Sequence, residues 1–130
     1  MTSNSELTWE QRCENKVHNT LSSDAFFLVN KALLKFFEYD WSAVVILSDL
    51  ISARQELELE GNLEKDDEEF YRTQSDIKNS TGIGFSTQNR SLRLLSEFGC
   101  ISVVKKGMPP RNHFVINYHR INEILEETEV

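Results

Sequence analysis

The sequence predicts an α+β domain: a helix-turn-helix followed by a two-stranded hairpin, with additional N-terminal helices and a short C-terminal helix. Three observations predict it. Apolar residues recur at helical spacing after Asp40, two short helical stretches meet at Thr81-Gly82, and two β-rich stretches flank a turn holding Gly107 and Pro109-Pro110. The length of 130 residues suits one domain, and 39% hydrophobic with 10% aromatic residues suffices for one core. No apolar run approaches the roughly 20 residues of a membrane span, and Met1-Thr2-Ser3-Asn4-Ser5-Glu6 lacks the basic-then-apolar order of a signal peptide. Cys13 and Cys100 are too few and too scattered for a disulfide framework. A cytoplasmic, reduced, soluble protein is the expectation.

Residues 1–22 are polar, with Leu7, Trp9, Val17 and Leu21 too far apart for a continuous stripe, and read as a flexible or partly helical arm whose Trp9 is a candidate to dock elsewhere. The domain proper spans residues 23–127, leaving 128–130 as a tail. Asp24 is a candidate cap for a helix through Phe37, although Phe26-Phe27-Leu28-Val29 fits an extended segment equally well. Phe26, Phe27, Phe36, Phe37 and Trp41 are expected in the core and in dimer contacts. A helix over 24–38 would carry more apolar surface than a small domain covers, so a homodimer is expected. Trp41, Val44, Val45, Leu47, Leu50 and Ile51 then mark a helix from Asp40 to about Arg54–Glu58. Beyond it Glu56-Leu57-Glu58-Leu59-Glu60 alternates like a strand, Gly61-Asn62 signals a turn, and Asp66-Asp67-Glu68-Glu69 reads as a solvated loop.

The second half reads more regularly. Phe70-Tyr71-Arg72 is a short strand, and a helix from Thr73 or Gln74 reaches Ser80 before Thr81-Gly82 stops it. Ser86 is the expected cap of a second helix, Thr87 to Phe98, with apolar Leu92, Leu95 and Phe98 spaced three apart, Leu92 and Leu95 turned inward, and Gly99 ending it. Cys100-Ile101-Ser102-Val103-Val104 and His113–Tyr118 are strands around a basic turn, Lys105–Asn112. A short acidic helix, Ile121 to Glu127, closes the chain. The helix-turn-helix thus occupies about 73–98 and the hairpin, a wing, about 101–118.

This order suits double-stranded DNA. An α-helix fits the major groove, roughly 12 Å wide, and its N-terminal residues meet base edges. Here that end offers Ser86, Thr87, Gln88, Arg90, Ser91 and Arg93, with Gln74 and Ser75 on the first helix. The wing adds Lys105, Lys106, Arg111 and Asn112 for the phosphate backbone, which supplies affinity without sequence information. The formal charge of −7 argues against such a partner only as a total. Residues 1–69 carry −9, residues 70–120 carry +6 and residues 121–130 carry −4. The acidic flanks should limit non-specific DNA affinity, confine contact to one face and leave the opposite face for a replication or host protein.

The stretch FYRTQSDIKNSTGIGFSTQNRSLRLLSEFGCISVVKKGMPPRNHFVINY, preceded by FFLVNKALLKF and WSAVVILSDLISARQ, resembles the N-terminal winged-helix domain of replisome-organiser (DnaD-like replication initiation) proteins of phages, prophages and plasmids of Gram-positive bacteria. The resemblance covers about residues 25–125 and is most specific in FYRTQSDI, LLSEFGCISV and GMPPRNHFVIN. It implies binding of origin DNA, often as an oligomer. By position it puts Gln74, Ser75, Gln88 and Arg90 on the helix-turn-helix and Lys105, Lys106 and Arg111 on the wing. The long C-terminal region of that family has no counterpart before Val130, which fits a stand-alone domain, an excised fragment or a small regulator.

Other chemistries find little support. His18, His113 and His119 lack ligand spacing with either cysteine, so no metal is expected. Cys100 reads as a small buried hydrophobe, and Gly82-Ile83-Gly84 has neither the spacing nor the preceding buried strand of a phosphate loop. No catalytic constellation and no cofactor motif is present, so a non-enzymatic protein is expected. The expected function is sequence-specific DNA binding in phage or plasmid replication initiation; a transcriptional regulator or a protein-interaction module of the same fold are the alternatives.

Overall fold

A computed structural model describes residues 7–21, 27–63 and 68–129. In chain order the elements are α1 (Trp9–Leu21), α2 (Lys31–Phe36), α3 (Trp41–Leu59), β1 (Glu69–Tyr71), α4 (Gln74–Thr81), α5 (Phe85–Glu97), β2 (Ile101–Lys106), β3 (Arg111–Ile116) and α6 (Tyr118–Glu127). The chain is therefore mixed α+β, with a three-stranded antiparallel sheet ordered β1-β3-β2. Phe70 pairs with Phe114 on one side of β3, and Val103 pairs with Phe114 on the other.

Asp40 starts the helix that organises the core. Its carboxylate accepts from the Ala43 amide at 3.1 Å, supplying an acceptor to an otherwise unpaired first-turn donor. Ala43, Val44, Ile46, Leu47, Leu50 and Ala53 of α3 are buried, and their face backs α4 and α5. The strand expected at 56–60 does not form. Arg54 pairs with Glu58 one turn on, Leu57 packs against the core, and the helix runs on to Leu59. Gly61 then takes the left-handed conformation (φ 76°), and the amides of Gly61 and Asn62 bond back to Glu58 and Leu57, so the turn signal marks a helix end. Glu69 leaves the expected solvated loop for β1, where its carboxylate lies 2.6 Å from the Lys106 ammonium and 3.5 Å from His113. Asp66 and Asp67 lie outside the described residues.

Helix α2 is shorter than expected. Residues 27–30 are irregular, the Ser48 hydroxyl donates to the Leu28 carbonyl at 2.9 Å, and Asn30 caps the helix by accepting from the Leu33 amide. The alternative cap, Asp24, lies outside the described residues, as does Phe26. Of the five aromatic residues assigned to core and dimer contacts, Phe36 and Phe37 pack within the chain. Phe36, Phe37 and Phe98 form an edge-to-face cluster with centroids 5.0–5.5 Å apart. Trp41 departs from its core assignment and stays 56% exposed. Trp9 does not dock either: it is 74% exposed on α1, whose first turn is closed by reciprocal Thr8–Gln11 hydrogen bonds.

At the C-terminal end Asn117 accepts from the Arg120 amide, so α6 starts at Tyr118, three residues earlier than expected. Ile121 and Ile124 are buried, and α6 packs on α2. Phe98 ends α5 and is 40% exposed, and the left-handed Gly99 turns the chain into Cys100 and β2. A Cβ at Gly99 would meet the Arg120 side chain at 3.6 Å in addition to the strain of its positive φ.

Candidate nucleic-acid interface

Thr73 and Asp76 fix the start of α4. The Thr73 hydroxyl accepts from the Asp76 amide at 2.9 Å, and the Asp76 carboxylate accepts from the Thr73 amide at 3.2 Å. Hydrogen bonding of the Asp76 carboxylate to the Thr73 side chain, and then to the Thr73 amide, holds its carboxyl below the usual aspartate range. Gly82 stops the helix, and α5 follows after Ile83 and Gly84. Gly84 is the N-cap, so Ser86 stands in the first turn instead of capping it, and no side chain bonds the first amides of α5.

Two residues expected to read bases are structural. Gln88 is fully buried; its Nε2 donates to the carbonyls of Gln74 at 3.0 Å and Ile83 at 2.8 Å, tying α5 to the start of α4 and to the turn. Ser91 is also fully buried, and neither its hydroxyl nor Gln88 Oε1 has a partner among the described residues. Both lie on the face of Leu92 and Leu95, at spacings of three, four and seven residues, so they belong to the side of α5 that packs on α3. The opposite ridge carries Ser86, Arg90 and Arg93, all exposed, with Asn89 on the side toward the hairpin. Thr87 is half-buried on the other flank.

The hairpin also differs from expectation. Lys105 and Lys106 are in β2 and Arg111 and Asn112 in β3, paired Lys105 to Asn112 and Lys106 to Arg111, so the turn is only Gly107–Pro110. The Met108–Pro109 peptide in it is cis. Between the hairpin and the helix pair runs a groove of about 610 Å³, lined by Gln74, Ser75, Phe85, Asn89, Lys105 and Arg111 among others. Gln74 and Asn89 are joined across it by a 2.8 Å hydrogen bond. Tyr71 borders it, with the Arg111 guanidinium 5.6 Å from its ring centroid and donating to its hydroxyl. Asn89, Phe85 and Tyr71 were not singled out from the sequence. A helical projection of α5 from Leu92 places Phe85 and Asn89 beside Arg93, which is the signal that finds them.

Five of the eight bases between residues 70 and 120 have other partners. Arg72 makes a two-pronged ion pair with the buried Asp49 at 2.9 and 3.0 Å. Lys106 holds Glu69, Arg111 holds Tyr71, and Arg120 donates to the Phe98 carbonyl and faces Glu123. Lys78 lies over the Phe85 ring. Arg90, Arg93 and Lys105 have no ion pair among the described residues. The acidic end of α3 does not lie across the molecule from this surface, because Glu56 and Glu60 line a second depression with Tyr71, Arg72 and Asp76.

Burial raises the pKa of the fully buried Cys100 thiol. Among the described residues no cluster of His, Cys, Asp and Glu is placed to hold a metal ion, and no helix is long and apolar enough to cross a membrane. No family model, no curated protein and no solved structure matches the chain.

Proposed function

We propose that the chain is a winged-helix protein that binds double-stranded DNA, with α5 as the recognition helix and the β2–β3 hairpin as the wing. The observation that carries this reading is the pairing of two prongs across one groove. Phe85 and Asn89 of α5 line one wall and Lys105, Arg111 and Asn112 of the hairpin line the other, while Ser86, Arg90 and Arg93 stand exposed on the adjoining ridge of the same helix. The order α3-β1-α4-α5-β2-β3 and the sheet order β1-β3-β2 support the same assignment. Arginine and asparagine are the side chains best matched to the edges of guanine and adenine, while lysine suits phosphate. A role in phage or plasmid replication initiation rests on the sequence resemblance, and a transcriptional regulator would use the same surface. A footprint on the source replicon distinguishes an origin from a promoter.

A salt titration tests the binding itself. The logarithm of affinity should fall with the logarithm of salt by a slope of about one per neutralised phosphate. Lys105→Ala should weaken binding to all sequences alike and reduce that slope by about one. Arg90→Ala with Arg93→Ala should remove discrimination between sequences, at about 1–3 kcal/mol per lost base contact. Affinity that stays flat between about 50 and 200 mM salt excludes the phosphate-contact interface.

A further inference from the structure

Turns are built mostly from Gly, Pro, Asn, Asp and Ser, and at the tip of the hairpin Gly107, Pro109 and Pro110 follow that rule while Met108 departs from it. Gly107-Met108-Pro109-Pro110 carries no polar side chain, and Met108 is 97% exposed, the highest value among the exposed large hydrophobic residues. The two prolines fix their own φ angles, so the tip is presented with few conformations to lose.

Its setting is cationic. Lys105 and Lys106 precede it, Arg111 follows it, and Lys105 and Arg111 line the groove shared with α5. Two residue pairs, hence three steps along the strand, separate the last core pair, Val103 with Phe114, from the pair Lys106 with Arg111 that flanks the tip. At about 3.3 Å per residue the tip stands roughly 10 Å beyond the core. The minor groove of B-DNA is about 6 Å wide and 7.5 Å deep, so the strands stay outside it, and this projection clears the protein body enough to present the Met108 side chain to the groove with Lys105, Lys106 and Arg111 near the phosphates.

Resting on the double-stranded DNA reading above, we propose that Met108 is an apolar wedge that enters the minor groove and partly unstacks one base step, bending the duplex. An unbranched thioether side chain is among those that proteins insert between base pairs, and pyrimidine–purine steps such as TA open most easily. The hairpin then selects DNA by deformability, whereas α5 selects it by base edges.

The test uses a duplex of about 30 base pairs with a central A·T-rich segment, 2-aminopurine at its TA step and a donor–acceptor dye pair at its ends, in about 50 mM salt. Saturating wild-type protein should raise the 2-aminopurine emission about twofold or more and bring the ends closer. Met108→Ala should bind within about fivefold of wild type while leaving the emission at the free-duplex level, and Met108→Leu should retain the rise. Wild-type binding without a rise in emission, or an equal rise with Met108→Ala, overturns the wedge and leaves the DNA-binding reading intact. Failure of the wild-type chain to bind any duplex overturns both.

Discussion

At the scale of single residues, what separates a structural polar group from an interface group is burial together with a partner. Asp49 is 3% exposed and receives both prongs of the Arg72 guanidinium, which ties the middle of α3 to the segment between β1 and α4. Arg72 is thereby withdrawn from any DNA contact. Removing it would leave a buried carboxylate without its counter-charge, so Arg72→Ala should lower unfolding stability by about 3 kcal/mol at neutral pH. Replacing both members with apolar residues, Asp49→Leu with Arg72→Met, should recover most of that loss in urea denaturation. Gln88 follows the same logic, since its two bonds to backbone carbonyls are spent on the start of α4 and on the turn between α4 and α5. Charge and residue type were legible in the sequence for both; what they were paired with was not. Asp49 and Arg72 are 23 positions apart, and nothing in the intervening chain signals their meeting.

At the scale of elements, helix ends were more legible than helix faces. Asp40, Gly82 and Gly99 bound their helices as expected because caps and left-handed stops depend on local backbone chemistry. The alternation of Glu56–Glu60 misled because its carboxylates are solvated on either geometry, while Leu57 and the Arg54–Glu58 pair favour the helix. For α5, two polar residues occupy core positions, which made Gln88 and Ser91 resemble reading residues until the buried face was fixed by contact with α3. The Thr73–Asp76 box gives α4 a measurable pH signature. The Asp76 pKa is lower in the folded than in the unfolded chain, so its contribution is complete above the ordinary aspartate value of about 4 and is lost as pH falls through the lowered folded value. Asp76→Asn should therefore destabilise by about 0.5–1 kcal/mol at pH 7, and the gap to wild type should close on acidification. A gap that persists at low pH would show that the carboxylate charge is not what closes the cap.

At the scale of the whole molecule, a chain of net charge −7 sets Lys105 and Arg111 in one groove, with Arg90 and Arg93 exposed on the helix that forms its wall. The acidic end of α3 borders that groove at Tyr71, so a duplex seated there is bounded on one side by like charge. The order of strands has a separate consequence. With β3 in the middle, β2 is an outer strand whose second edge has no partner among the described residues. A row of free amides and carbonyls of this kind invites another chain to add itself as a fourth strand, and lysines are a common guard against that. Lys105 and Lys106 are therefore expected to keep the protein monodisperse as well as to meet phosphate. Lys105→Ala with Lys106→Ala should scatter more light at high concentration and low salt than wild type, with no DNA present. Solubility and DNA affinity would then be two properties of one pair of side chains, and neither could be tuned without moving the other.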